Sequence, residues 1–125
     1  MEKVKELFVI LEDRPKALGE LLKVLSKNNI KIDCIGVFVD SAKLLVNDAE
    51  KTKKILQDNN YAVEIREVIK VRIENTPKEL AYITERIGQL GINISHAYGT
   101  TDKKNNMMTL ILDVADVETS LSLFN

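Results

Sequence analysis

Glu12-Asp13-Arg14-Pro15-Lys16-Ala17-Leu18 and Glu74-Asn75-Thr76-Pro77-Lys78-Glu79-Leu80 stand 62 positions apart, and the proline, lysine and leucine fall on one another. The same offset lays Ile30-Lys31-Ile32 on Ile92-Asn93-Ile94, with both isoleucines identical. Self-similarity at a fixed offset is evidence about the whole fold, because each copy must form the same supersecondary unit. The chain therefore reads as two copies, residues 1–66 and residues 67–125.

Each copy has the same order of elements. Residues 7–11 form a short apolar run of strand type, matched by Ile69, Val71 and Ile73 alternating with Lys70, Arg72 and Glu74. Proline comes next, at a position where helices tolerate it. Leu18, Leu21, Leu22 and Leu25 then take helical i, i+3, i+4, i+7 spacing, and Leu80, Ile83, Ile87 and Leu90 do so in the second copy. Asn28-Asn29 and Gly91 end these helices, both residue types tolerating the left-handed conformation. Strands are expected at residues 30–39 and 92–99, and again near 43–46 and 107–113. Asp48 and Asp116 open second helices, the first with Ala49, Thr52, Ile55 and Leu56 on one face, the other with Val117, Leu121 and Phe124. Residues 61–66 close the first copy as a strand. The order is β-α-β-β-α-β, the split βαβ or ferredoxin-like arrangement. The expected class is α+β, with antiparallel sheets carrying helices on one face. The second copy has no room for its fourth strand, which would leave a bare sheet edge. The offset sets residues 1–6 against residues 63–68, so the N-terminal residues are expected to fill the vacancy.

Composition excludes several classes. Eighteen basic against nineteen acidic residues leave a net charge of −1, and the two signs are interspersed. That gives no field to hold a nucleic acid or an acidic membrane. No apolar run approaches a membrane span and the start lacks a signal-peptide core, so a soluble, cytoplasmic protein is expected. One cysteine and one histidine supply neither a disulfide, a metal cluster nor a catalytic triad. Cys34 reads as a small buried residue. No nucleophile-base pair or glycine-rich phosphate loop is present, so an enzyme is not expected, nor any cofactor. RNA-recognition domains share this strand order, but their stacking aromatics are missing, and Phe8 and Phe38 read as core residues.

The two loops resemble the turn between first strand and first helix in ACT domains, commonly Asp or Asn, any residue, Pro, Gly, any residue, Leu. Double occurrence in one polypeptide resembles stand-alone tandem ACT proteins. The resemblance implies binding of an amino acid at the interface between two modules, regulation of an associated metabolic enzyme, and homodimers paired through first helices and second strands. Lys16 and Lys78 replace the family's glycine, and a lysine there can supply a cation for a carboxylate. The alternative is a ligand-free interaction or dimerisation module, acting as regulatory subunit of an amino-acid-metabolism enzyme.

A free amino acid presents a carboxylate and an ammonium together. Helix N-termini offer unpaired N–H groups to the first, and an acidic or amide side chain suits the second. Asp13, Arg14, Pro15, Lys16, Ala17 and Leu18 are the candidates in copy one, with Arg14 toward the carboxylate and Asp13 toward the ammonium. Asn75, Thr76 and Pro77 are their counterparts. Thr76 to Glu79 reads as a capping box, in which the helix satisfies its own donors, so the first loop is expected to be the more available. The family's geometry adds the start of the second strands: Cys34 and Ile35 in copy one, Ser95, His96 and Tyr98 in copy two. His96 shares strand parity with Ile92 and Ile94, which predicts a packed histidine. Residues 99–106 read as a mobile hairpin tip.

Overall fold

In a computed structural model, residues 1–124 are described, and they fall into two compact units. The first module is Lys5–Arg66; the second combines Met1–Val4 with the chain from Glu67 onward. In chain order the elements are β1 (Glu2–Ile10), α1 (Ala17–Lys27), β2 (Ile32–Phe38), β3 (Ser41–Val46), α2 (Ala49–Asp58), β4 (Val63–Glu74), α3 (Pro77–Gln89), β5 (Ile94–Asp102), β6 (Met107–Val114) and α4 (Val117–Ser122). The division falls inside β1 and inside β4, so each of these strands serves both modules.

In the first module the strand order is β2-β3-β1-β4. β3 pairs antiparallel with β1 and with β2. Leu7 and Val9 of β1 and Ala42 and Leu44 of β3 alternate onto one face and meet Ala17, Leu21 and Leu25 of α1. The buried stripe of α1 is thus centred on 17, 21 and 25, with Leu18 and Leu22 on its flanks. The helix ends as its asparagines require: Asn28 Nδ2 donates to the Val24 carbonyl, and Asn29 takes φ 55°. Asp48 caps α2 by accepting from the Lys51 amide. The sheet's other face carries Glu6, Phe8 and Lys43. Phe8 and Phe38 are therefore not core residues: Lys43 Nζ lies 5.7 Å from each ring centre, and the Arg66 guanidinium lies 3.9 Å over Phe8. Phe38 is 41% exposed.

In the second module the order is β1-β4-β6-β5, β6 pairing antiparallel with β4 and β5. Ile69, Val71 and Ile73 meet Ile83 and Ile87 of α3. Met1 packs against this core, and Lys3 reaches Glu118 at 2.8 Å and Glu67 at 3.7 Å. Leu90 is 46% exposed, outside the expected stripe, because α3 stops at Gln89 and the chain turns through Gly91 at φ 74°. β5 continues to Asp102, so residues 99–102 are strand and only the tip beyond them turns. There the Asp102 carboxylate accepts from Asn105 Nδ2 and from the amides of Lys104 and Asn105. Those bonds hold its pKa below the usual carboxylate value, the Asn105 side chain contributing most. Gly99 lies so close to β6 that an added Cβ meets Leu110 Cδ2 and the Thr109 carbonyl at 2.7 Å.

Both the Gly99 contact and the N-terminal strand bear on stability. Gly99→Ala is expected to cost about 1–3 kcal/mol in urea unfolding, the usual penalty of overpacking against backbone; an unchanged midpoint would show that β5 yields there. Deleting Met1–Val4 uncovers the β4 edge and removes Met1 from the second core. Amide exchange should therefore quicken along β4 and β6 within the second module, and unaltered protection there would rule out that role for the first residues.

Candidate functional site

The first loop is built by three local constraints. Leu11 N donates to the Asp40 carbonyl at 2.9 Å, which fixes where β1 ends. Lys16 then adopts φ 73°, ψ −16°, a left-handed conformation that costs a lysine about 1–2 kcal/mol. The chain enters α1 from that residue, and no side chain caps the helix. The motif glycine is gone, but the backbone conformation that calls for glycine remains.

Arg14 is exposed but engaged on three sides. Its Nη2 lies 2.7 Å from Glu20 Oε2, its Nε lies 2.6 Å from Glu12 Oε2, and its Nη1 donates to the Pro15 carbonyl at 3.1 Å. The Glu20 hydrogen bond, then the Glu12 one, raises the arginine's pKa, and Arg14 lowers that of Glu20. Tyr61 is raised by burial first and by the Glu20 charge second, which places it beside the same cluster. Glu12 in the loop, Glu20 in the first turn of α1 and Tyr61 before β4 are the neighbours of Arg14 that sequence reasoning missed. Arg14 and Glu20 are six residues apart, a spacing with no helical meaning, and Tyr61 arrives from the far end of the module.

The second loop differs. Thr76 Oγ1 accepts from the Glu79 amide at 3.1 Å and Pro77 occupies the first turn, so α3 begins with its own cap. Lys78 lies inside α3 and has no left-handed φ. Asn75 N donates to the Asn106 carbonyl at 3.0 Å, tying this loop to the β5-β6 hairpin.

Both second strands carry a register shift at equivalent places, between Ile32 and Cys34 and between Ile94 and His96. A bulge inserts one residue and so reverses the parity of the residues beyond it. Cys34 accordingly pairs with Leu45 and is half-buried, where full burial was expected. His96 is not packed with Ile94. It pairs with Asp113, is exposed, and places Nδ1 at 3.3 Å from Asp113 Oδ2. Tyr98 comes next on the same face, opposite Ile111, and Ser95 Oγ accepts a long 3.4 Å bond from Asn93. Within the first module, residues 13–18 gather at the start of α1. Cys34 and Ile35 lie back along β2, about 10–13 Å from Phe38, whose end of the strand adjoins Asp40. A separate groove of about 550 Å³, lined by Leu22, Leu25, Ser26, Asn29, Ile30, Lys31 and Ile32, opens at the opposite end of α1. Among the described residues no group of three metal-ligating side chains occurs, and no helix is long and apolar enough to cross a membrane.

No protein-family model matches the chain, and no curated protein sequence matches it. Solved structures do. Protein BT0572 from Bacteroides thetaiotaomicron superposes with a TM-score of 0.85 at 27% identity, over 97% of this chain and 85% of that one. The ligand-free regulatory subunit of aspartate kinase from Thermus thermophilus gives 0.65 at 17% identity, over 98% of this chain and 94% of that one. E. coli aspartokinase III, crystallised with lysine and aspartate, gives 0.62 at 16% identity, over 99% of this chain and 32% of that chain. The fold is the α+β, ACT-like fold of aspartate kinase regulatory domains.

The two loops are separable by one substitution each. Lys16→Gly relieves a left-handed lysine and should raise stability by about 0.5–1 kcal/mol, net of the extra freedom glycine gives the unfolded chain. Lys78→Gly enters a helix and should lower it by about 0.5–1 kcal/mol. Denaturant unfolding of both variants checks the opposition, and two changes of the same sign would refute it.

Proposed function

We propose that the chain is a tandem ACT-like regulatory protein that binds a free amino acid at its first β-α loop and modulates an enzyme of amino-acid metabolism. The observation that carries this reading is the uncapped start of α1 behind a left-handed Lys16. Helix-end N–H groups without a side-chain cap are the donors a carboxylate needs, and the equivalent donors of α3 are met in part by Thr76. Asp13 is the acidic group for the ammonium. In this reading Arg14 exchanges a glutamate partner for the ligand's carboxylate, so binding disturbs the Arg14, Glu12 and Glu20 cluster. Likeness over nearly the full length of an aspartate kinase regulatory subunit supports the regulatory role, and aspartokinase III crystallised with lysine and aspartate supports the ligand class.

A ligand-free interaction module is the second reading, favoured by Arg14 already being neutralised by Glu20 and Glu12. Thermal unfolding with each of the twenty amino acids at millimolar concentration separates them. A ligand at a hundred times its dissociation constant stabilises by about 2.7 kcal/mol. Asp13→Ala should abolish most of that shift while Asn75→Ala leaves it; the reverse order refutes the assignment to the first loop.

In this reading the protein is also a homodimer. β2 is the outer strand of its module. Ile35, Val37 and Phe38 on it, and Val39 just after it, are 41%, 43%, 41% and 73% exposed. An apolar strand edge left open is an invitation to pair, and a second copy offers the same edge in a self-complementary, two-fold arrangement. Sedimentation should give a dimer for the parent chain and a monomer for Val37→Lys. A variant that keeps the parent's mass would place the interface elsewhere.

A further inference from the structure

A cavity of about 520 Å³ lies in the second module, lined by Met1, Glu2, Lys70, Arg72 and Thr109. Its floor is set by strand parity. Ile69, Val71 and Ile73 of β4 face the core, so Lys70 and Arg72 between them face the other way, onto the side of the sheet that carries no helix. Cα pairing sets Arg72 opposite Thr109. Lys70 and Arg72 are two residues apart along one face, about 7 Å. Lys70 and Thr109 are half-buried, while Glu2 and Arg72 are exposed.

Two cations and a hydroxyl stand on β4 and β6, and one carboxylate stands across from them on β1, next to which Met1 also borders the cavity. Arg72 has five donors in a planar fork, the geometry that suits a carboxylate. Its ion pair to Asp102 is long, at 3.5 Å. Asp102 meanwhile is occupied by Asn105 and Lys104 in the hairpin turn. A partner able to accept two bonds from Arg72 can therefore compete for it. The volume lies within the usual range for small-ligand pockets.

We propose that this cavity binds a small zwitterion, a free α-amino acid, with its carboxylate on Arg72, Lys70 and the Thr109 hydroxyl and its ammonium on Glu2. The site is distinct from the first β-α loop and does not rest on that reading. A simple anion would leave Glu2 facing a like charge, and a simple cation would leave Lys70 and Arg72 doing so. The zwitterion satisfies both sets at once.

The test is a titration of the full chain monitored by amide NMR. The probes are the twenty amino acids, N-acetylated forms of any that bind, and inorganic phosphate. The expected result is movement of the Lys70, Arg72 and Thr109 amides with an amino acid. N-acetylation, Glu2→Gln and Arg72→Gln should each weaken that binding at least tenfold, while Asp13→Ala leaves it unchanged. Thermal unfolding of the two cavity variants confirms that they remain folded, as substitutions of exposed side chains should. Equal binding of phosphate or of the N-acetyl form would overturn the zwitterion assignment in favour of a plain anion site. Movement confined to residues 13–20 would overturn this site and leave the loop reading standing. Movement at the cavity alone would sustain this site and sink the loop, and no movement with any amino acid would overturn both.

Discussion

A four-stranded ferredoxin-like sheet needs a strand on each side of its first, which in the second module means a strand beside β4 on the side away from β6. The second module meets that requirement with Met1–Val4, which belong to it together with the chain from Glu67 onward. Much else depends on this solution. β1 spans nine residues and β4 twelve, well beyond the usual five or six, because each begins in one module and ends in the other. Lys3 is tied to Glu67 and Glu118, and Met1 is committed to a core formed by residues from Ile69 onward. The edge that would otherwise expose a row of amides along β4 is paired.

The repeat made this architecture legible. A common loop at a constant offset, alternating apolar residues before it and a leucine or isoleucine stripe after it, led to the observed element order. The caps were legible too, since Asp48, Thr76 and Asp116 each accept from the amide three residues on. Strand facing was not. One inserted residue in each second strand reverses parity after Ile32 and Ile94, and a period-two pattern cannot report where it slips. For that reason His96 could be assigned to the core when it stands in the open beside Asp113. Phe8 was misread for a different cause: a ferredoxin-like sheet has two faces, and an aromatic on a central strand fits either.

At the loops, legibility stopped where conformation parted from residue type. Nothing about lysine announces φ 73°, and the shared Pro-Lys step places Lys16 in a left-handed turn and Lys78 in a helix. The deciding difference lies in neighbours. Thr76 with Glu79 lets α3 cap itself, whereas Arg14 and Ala17 offer no equivalent and α1 begins uncapped. Arg14 was singled out as the partner for a ligand's carboxylate, and in the structure it pairs with Glu20 and Glu12. Its engagement by Glu20 is a contact of tertiary origin, set by how the loop folds back over the helix.

The helix-free faces of the two modules differ in chemistry. Aligned by the register of their own strands, Glu6 and Lys43 of the first module correspond to Val68 and Ile111 of the second, and all four are buried. In each module the two residues are diagonal neighbours on adjacent strands. The second module shows that an apolar pair fills these positions, and exchanging buried charges for well-packed apolar groups is often neutral or stabilising. The first module nevertheless retains a carboxylate and an ammonium there, the ammonium lying over Phe8 and Phe38. Lys43 meets Phe38 at the end of β2, whose adjoining turn meets the uncapped loop through Leu11 and Asp40. The module with the strained, open loop is thus also the one whose sheet is held by directional contacts, while the module with the self-capped loop relies on Val68 and Ile111.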